Sequence, residues 1–136
     1  MSTDVALLQT SEEGFDDCLL YGVSAMQGWR ISMEDAHAAV LDLQAKYVSQ
    51  SGEATTPDKR LSFFGVYDGH GGDKVALFAG EHVHQIVAKQ DAFKKGDIEQ
   101  ALKDGFLATD RAILEGLFTM EDHCSSPQLT SARPQI

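Results

Sequence analysis

The chain has 136 residues, enough for one modest domain with a core of its own. Its composition, 43% hydrophobic and 24% charged, is that of a soluble globular protein. A formal net charge of −10 repels the phosphate backbone of nucleic acids, and no apolar run approaches the roughly 18 residues of a membrane span, so no nucleic-acid or membrane role is expected.

In chain order, residues 1–18 are polar and acidic and predict a flexible lead-in. The opening MSTDVALLQT has no basic n-region and no long apolar stretch, so no secretory signal is read there, and Ser2 excludes N-myristoylation. Leu19 to Gln27 is apolar and rich in β-formers, a first strand. GWRISMEDA follows with neither period, and His37 to Leu43 reads as a second strand. Gln44 to Arg60, rich in Ser, Thr, Gly and charge and containing Pro57, reads as a loop. Leu61 to Tyr67 is a near-continuous apolar run, the pattern of a strand buried on both faces.

After Gly72 the period becomes helical. Val75, Phe78, Ala79, His82, Val83, Ile86 and Val87 fall on one apolar face, with His82 on the packed side. Phe93-Lys94-Lys95-Gly96 breaks this helix. Asp97, with Gln100 three residues on, predicts an N-cap. Ile98, Leu102, Phe106, Thr109, Ile113 and Leu117 then form a second apolar stripe. Residues 118–136 show no period, hold two of the three prolines, and predict an unstructured tail. The order βββαα, with no helix between the first strands, predicts an α+β fold with antiparallel pairing and both helices on one face of a sheet. The two cysteines, Cys18 and Cys124, are too few for a disulfide framework and read as reduced thiols of an intracellular protein.

Two stretches carry the residues suited to chemistry. Asp68-Gly69-His70-Gly71-Gly72 comes directly after a strand. An acid held at a strand end, beside an exposed backbone carbonyl, offers hard oxygen ligands for Mg²⁺ or Mn²⁺. The glycines admit close backbone approach, and an imidazole exchanges protons near neutral pH. A glycine-rich turn in which Asp68 caps the next helix fits the same residues. Trp29-Arg30-Ile31-Ser32-Met33-Glu34-Asp35 places an arginine four and five residues before two acids. It reads either as solvated surface charge or as a phosphate fork with metal-ligating oxygens. Together the two stretches hold the parts of metal-assisted phosphate hydrolysis. His82 and His84 point to different helix faces, and His123-Cys124 lacks a second ligand pair at zinc-finger spacing.

GVSAMQGWRISMEDAH (22–37) and FFGVYDGHGG (63–72) resemble the first two signature motifs of the metal-dependent PPM-type (type 2C) serine/threonine protein phosphatases, most closely the fungal branch. The resemblance runs from about residue 20 to 115. It implies that residues 19–117 are the N-terminal part of a four-layer α-β-β-α sandwich with antiparallel sheets, usually monomeric, acting on phosphorylated protein substrates in the cytoplasm or nucleus. By position it implies that Asp68 bridges two Mg²⁺ or Mn²⁺ ions, with the Gly69 carbonyl and Glu34 as further ligands. Asp35 would hold metal-bound water, Arg30 would bind the substrate phosphate, and His70 would act as general acid toward the leaving oxygen. The implied nucleophile is a metal-bound water. After Leu114 the family pattern expects SGCTA-type and GDSR-type strands and two further aspartates, where this chain reads EGLFTMEDHCSSPQLTSARPQI. The departure predicts a truncated gene model, a splice product or a frameshifted end, with exposed sheet edges and an incomplete metal site. A non-catalytic fragment, acting as a binding module or not folding alone, is the alternative.

Overall fold

The computed structural model describes residues 9–48, 56 and 58–124, the side chains of 117–124 excepted. Eight elements succeed one another: β1 (Gln9–Phe15), β2 (Leu20–Met26), β3 (Ala36–Val40), α1 (Leu43–Tyr47), β4 (Phe63–Tyr67), α2 (Lys74–Lys89), α3 (Asp91–Lys94) and α4 (Ile98–Cys124). β1 pairs with β2 and β3 with β4, both antiparallel, giving an α+β fold with two two-stranded sheets among the described residues.

Within the expected lead-in, residues 1–8 lie outside the described residues, and residues 9–15 instead form β1. Its acidic residues hide a strand because both of its faces are solvated, so no apolar alternation marks it. Asp16 shapes the turn to β2: its Oδ1 accepts the backbone N–H groups of Cys18 and Leu19, both at 2.8 Å. Those two bonds, with help from Arg60, hold the Asp16 carboxyl below its usual range. Across the ribbon, the Tyr21 ring lies over Gly14, where an added Cβ would sit 2.5 Å from it. Cys18 is a free, exposed thiol.

The second strand starts one residue earlier than the sequence suggests and stops at Val40, because Asp42 begins a helix where a loop was expected. Asp42 Oδ1 accepts the Ala45 N–H at 2.9 Å, so a local N-cap outweighs the weak apolar pattern of LQAKY. Leu43 drops into the core, and its N–H donates to the Leu61 carbonyl at 2.8 Å. Most of the rest of the expected 44–60 loop lies outside the described residues.

β4 is not buried on both faces. Phe63 and Tyr67 pack toward α2, whereas Phe64 is 49% and Val66 82% exposed. The core lies between the β3–β4 sheet and α2 and continues to α3 and α4: Val40, Leu43, Ala79, Val83, Val87, Ala88, Phe93 and Ala101 form one buried cluster. Gly80 lets α2 sit close on β3, since a Cβ there would meet that of Ala36 at 3.1 Å. The buried histidine of α2 is His84, not His82. His84 donates to or accepts from the Tyr47 hydroxyl at 2.9 Å, while His82 stacks on Phe78 with ring centroids 4.2 Å apart.

The second helix also differs from its expected face. Asp97 does cap it, accepting the Gln100 N–H at 3.1 Å, after a left-handed Gly96 at φ +83°. α4, however, packs mainly on α2 and α3 rather than on the sheet. Of the expected stripe, Thr109 is buried, Ile98 packs against the core and Ile113 is half-buried. Ala101 and Gly105, however, take the buried places where Leu102 and Phe106 were expected, and Leu102, Phe106, Leu107 and Leu114 stay exposed. Small residues win because the α4 backbone comes so near α2 that a Cβ on Gly105 would overlap the Val87 side chain. Thr109 satisfies its buried hydroxyl by donating to the Gly105 carbonyl at 2.8 Å. The helix continues to Cys124, where an unstructured tail was expected, and residues 125–136 lie outside the described residues.

Candidate functional site

Strand register assembles the site. Ala36 opposes Tyr67 in the β3–β4 ladder, so the residues just before Ala36 and just after Tyr67 leave the sheet at the same end. Those residues are Glu34-Asp35 and Asp68-Gly69. The Gly69 N–H donates to Asp35 Oδ1 at 3.2 Å, joining positions 34 apart in sequence. A Cβ on Gly69 would overlap the backbone carbonyl oxygen of Glu34 and lie 3.1 Å from the Cβ of Ala76. Only glycine fits this crossing of two backbones.

Arg30 reaches the same place from the other sheet. β2 ends at Met26, and Gly28 turns the chain at φ +66°, a conformation that L side chains rarely adopt. The Gln27 amide Nε2 donates to the Arg30 carbonyl at 2.8 Å, and the Ser32 hydroxyl donates to Glu34 Oε1 at 3.1 Å. After His70, Gly71 (φ +76°) and Gly72 (φ +120°) carry the chain to α2. That helix has its N-cap at Asp73, so Asp68 is not its cap.

All six expected residues, Arg30, Glu34, Asp35, Asp68, Gly69 and His70, line one cavity of about 600 Å³ together with Met26, Gln27, Trp29, Ile31, Ser32 and Met33. Three carboxylates, one guanidinium and one imidazole therefore share one concavity. A phosphate entering it meets more negative than positive charge, and Arg30 alone does not offset three carboxylates. The donor set suits a hard divalent cation, which takes carboxylate and carbonyl oxygens and would neutralise the remaining negative charge of the site. In donor chemistry the residues fit Mg²⁺ or Mn²⁺. In geometry they remain spread around the cavity: among the described residues no three His, Cys, Asp or Glu side chains gather closely enough to grip an ion.

Gln27 and Ser32 are contributors that motif reading passed over. Neither is a chemical group of catalysis, and the available signal was only their polarity beside a loop glycine and an acid. His37 lies outside this cavity, with Nε2 3.4 Å from Glu12 Oε2, linking β3 to β1. No helix among the described residues is long and apolar enough to cross a membrane.

The sequence model of the protein phosphatase 2C family matches residues 19–129, a span that contains all six residues. The chain is 82% identical over 107 residues to protein phosphatase 2C homolog 2 of Aspergillus flavus, covering 79% of this chain and 25% of that protein. It is 83% identical over 106 residues to the protein of the same name from Aspergillus fumigatus, covering 78% and 25%. With protein phosphatase 2C homolog 3 of Schizosaccharomyces pombe it shares 49% identity over 105 residues, covering 77% and 23%. The chain spans about a quarter of the length of the curated relatives it matches.

Proposed function

The chain belongs to the protein phosphatase 2C family, and from that premise we propose that it carries the phosphate-binding and half of the metal-binding apparatus of a divalent-metal-dependent phosphoserine/phosphothreonine protein phosphatase. The observation that supports this reading most directly is the crossing of Gly69 over Glu34. It brings Glu34-Asp35 and Asp68-Gly69 to one cavity that Arg30 and His70 also line.

Arg30 presents a planar fork to two oxygens of a phosphate monoester and fixes the orientation of the phosphorus. Glu34, Asp35, Asp68 and the Gly69 carbonyl would hold Mg²⁺ or Mn²⁺. Bound there, the cation supplies charge neutralisation at the phosphoryl oxygens and acidifies water. In the hydrolysis, water adds to phosphorus in line as the bond from phosphorus to the serine or threonine oxygen breaks. His70 in its protonated form gives a proton to that leaving oxygen, releasing the alcohol. Asp35, bonded to the Gly69 N–H, keeps the two acid-bearing segments in register. We place this action in the cytoplasm or nucleus because two cysteines are too few for the disulfide framework of a small secreted domain.

A second reading has one observation in its favour: the spread of the three carboxylates. On that reading the 136-residue chain binds phosphorylated protein without turning it over. Release of inorganic phosphate from a phosphoserine peptide, titrated with Mn²⁺, decides between them. The phosphatase reading expects metal-dependent release that falls by about a hundredfold or more in Asp68→Asn. Binding of the peptide with no release at any Mn²⁺ concentration overturns it for this chain.

A further inference from the structure

Arg30 sits on a loop that packing does little to hold. Its neighbours Trp29 and Ile31 are 100% and 102% exposed, so neither anchors the segment in a core. A loop without such anchors leaves an arginine free to sample many positions, and ordering it at the moment of binding costs conformational entropy. The restraint on this loop is polar and local. The Gln27 amide reaches across the left-handed Gly28 and donates to the Arg30 backbone carbonyl at 2.8 Å. The bond closes the segment into a small ring that starts at Gln27, the residue after β2, and ends at Arg30 itself.

We propose that Gln27 is a positioning residue for Arg30: its side-chain amide pins the Arg30 carbonyl and so sets the guanidinium in the cavity before phosphate arrives. The proposal rests on the reading of Arg30 as the phosphate ligand. The geometry makes three chemical demands on position 27. It needs a side chain that donates, since a backbone carbonyl only accepts. It needs the length of glutamine to span Gly28 and Trp29. It also needs to be neutral, because a carboxylate there repels the carbonyl and adds a fourth negative charge to the cavity wall.

Trp29 is the only tryptophan of the chain and lies inside the pinned segment, so its emission reports on the loop directly. The test uses the full 136-residue chain with Mg²⁺ present, comparing wild type, Gln27→Ala, Gln27→Glu, Arg30→Ala and the double variant Gln27→Ala/Arg30→Ala. Two quantities are read: the time-resolved anisotropy of Trp29, and the dissociation constant for inorganic phosphate. Thermal midpoints confirm that each variant is folded. Gln27→Ala and Gln27→Glu are expected to add a fast anisotropy component and to weaken phosphate binding about tenfold, the worth of one net hydrogen bond. In the Arg30→Ala background, Gln27→Ala is expected to add nothing to the loss of phosphate affinity, as for two residues that act through one group. Unchanged Trp29 anisotropy in Gln27→Ala overturns the proposal, and so does an undiminished Gln27→Ala effect on phosphate when Arg30 is absent. If the anisotropy responds but Arg30→Ala binds phosphate as well as wild type, the phosphate reading of Arg30 fails, and the proposal falls with its premise. The anisotropy response sets that failure apart from a failure of the pin.

Discussion

The two sheets of this molecule present their functional residues in different ways. β3 and β4 are clamped by α2, with Val83 and Val87 almost wholly buried, and a backbone crossing at Gly69 fixes the segment leaving β4. The β1–β2 ribbon is tied to the rest by individual contacts: the Tyr21 and Phe64 rings at 5.5 Å, His37 with Glu12 at 3.4 Å, and Arg60 Nη1 with Asp16 Oδ2 at 2.9 Å. The packed half carries Asp68, Gly69 and His70, the ribbon carries the approach to Arg30, and Glu34-Asp35 lies where they meet. The cation-binding role proposed for Asp68 and Glu34-Asp35 asks for two segments held in register, and the backbone crossing at Gly69 holds them. A guanidinium has a long stem and reaches its target from a lighter scaffold, provided the loop is pinned.

The contrast breaks most severely at Gly69. Gly69→Ala drives a methyl group into the Glu34 carbonyl and is expected to cost about 3 kcal/mol while separating the two acid-bearing segments. Urea unfolding measures the first effect, and loss of metal-dependent phosphate release the second. Val83→Ala, in the packed half but remote from the cavity, is expected to cost about 2 kcal/mol through lost burial and a residual void. It should leave the Trp29 signal of the ribbon arm unchanged in the folded protein. Arg60→Ala sharpens the comparison from the other side. It removes the partner of Asp16 and a contact 3.7 Å from Asp42, so amide hydrogen exchange should quicken in β1 and β2 while Val83 and Val87 keep their protection.

The smallest effect concerns pH. Burial pushes the His84 pKa below its ordinary 6.5, and like charge from Lys46 and His82 adds to the shift. Below 6.5 the unfolded chain takes up a proton that folded His84 resists. The stability of the packed half is therefore whole above pH 6.5 and declines as pH falls from there through the folded-state pKa. Thermal midpoints between about pH 7.5 and about 5 should drop for the wild type and drop less for His84→Gln, which has no imidazole to charge.

Much of this was open to sequence reading, and the reasons for the failures are particular. β2, β4 and α2 were legible because each has a strong apolar period or run. β1 was not, since a strand with two wet faces and charges at its edge has no hydrophobic signature. α1 was hidden because one cap, Asp42, matters more in five residues than propensity does. On α4 the period was read and Ile98 and Thr109 do pack inward, but Leu102 and Phe106 were placed in the core where Ala101 and Gly105 lie. Periodicity favours the large apolar side chains, whereas close contact with α2 selects small ones, Ala101 and Gly105. The same limit misplaced the buried histidine of α2, because helical phase alone does not reveal that Tyr47 waits opposite His84.

The sequence by itself determined the chemistry available to this protein. An acid, a carbonyl and an imidazole come after one strand, and an arginine and two acids stand before another, in the order of the protein phosphatase 2C family. Spacing along a chain says nothing about which strand ends coincide in space. That depended on the antiparallel register of Ala36 with Tyr67 and on the absence of a side chain at Gly69, which allow two segments 34 positions apart to touch. Only the tertiary structure decided that Arg30 reaches the same cavity from a separate sheet, and that an amide at Gln27 holds the loop it reaches from.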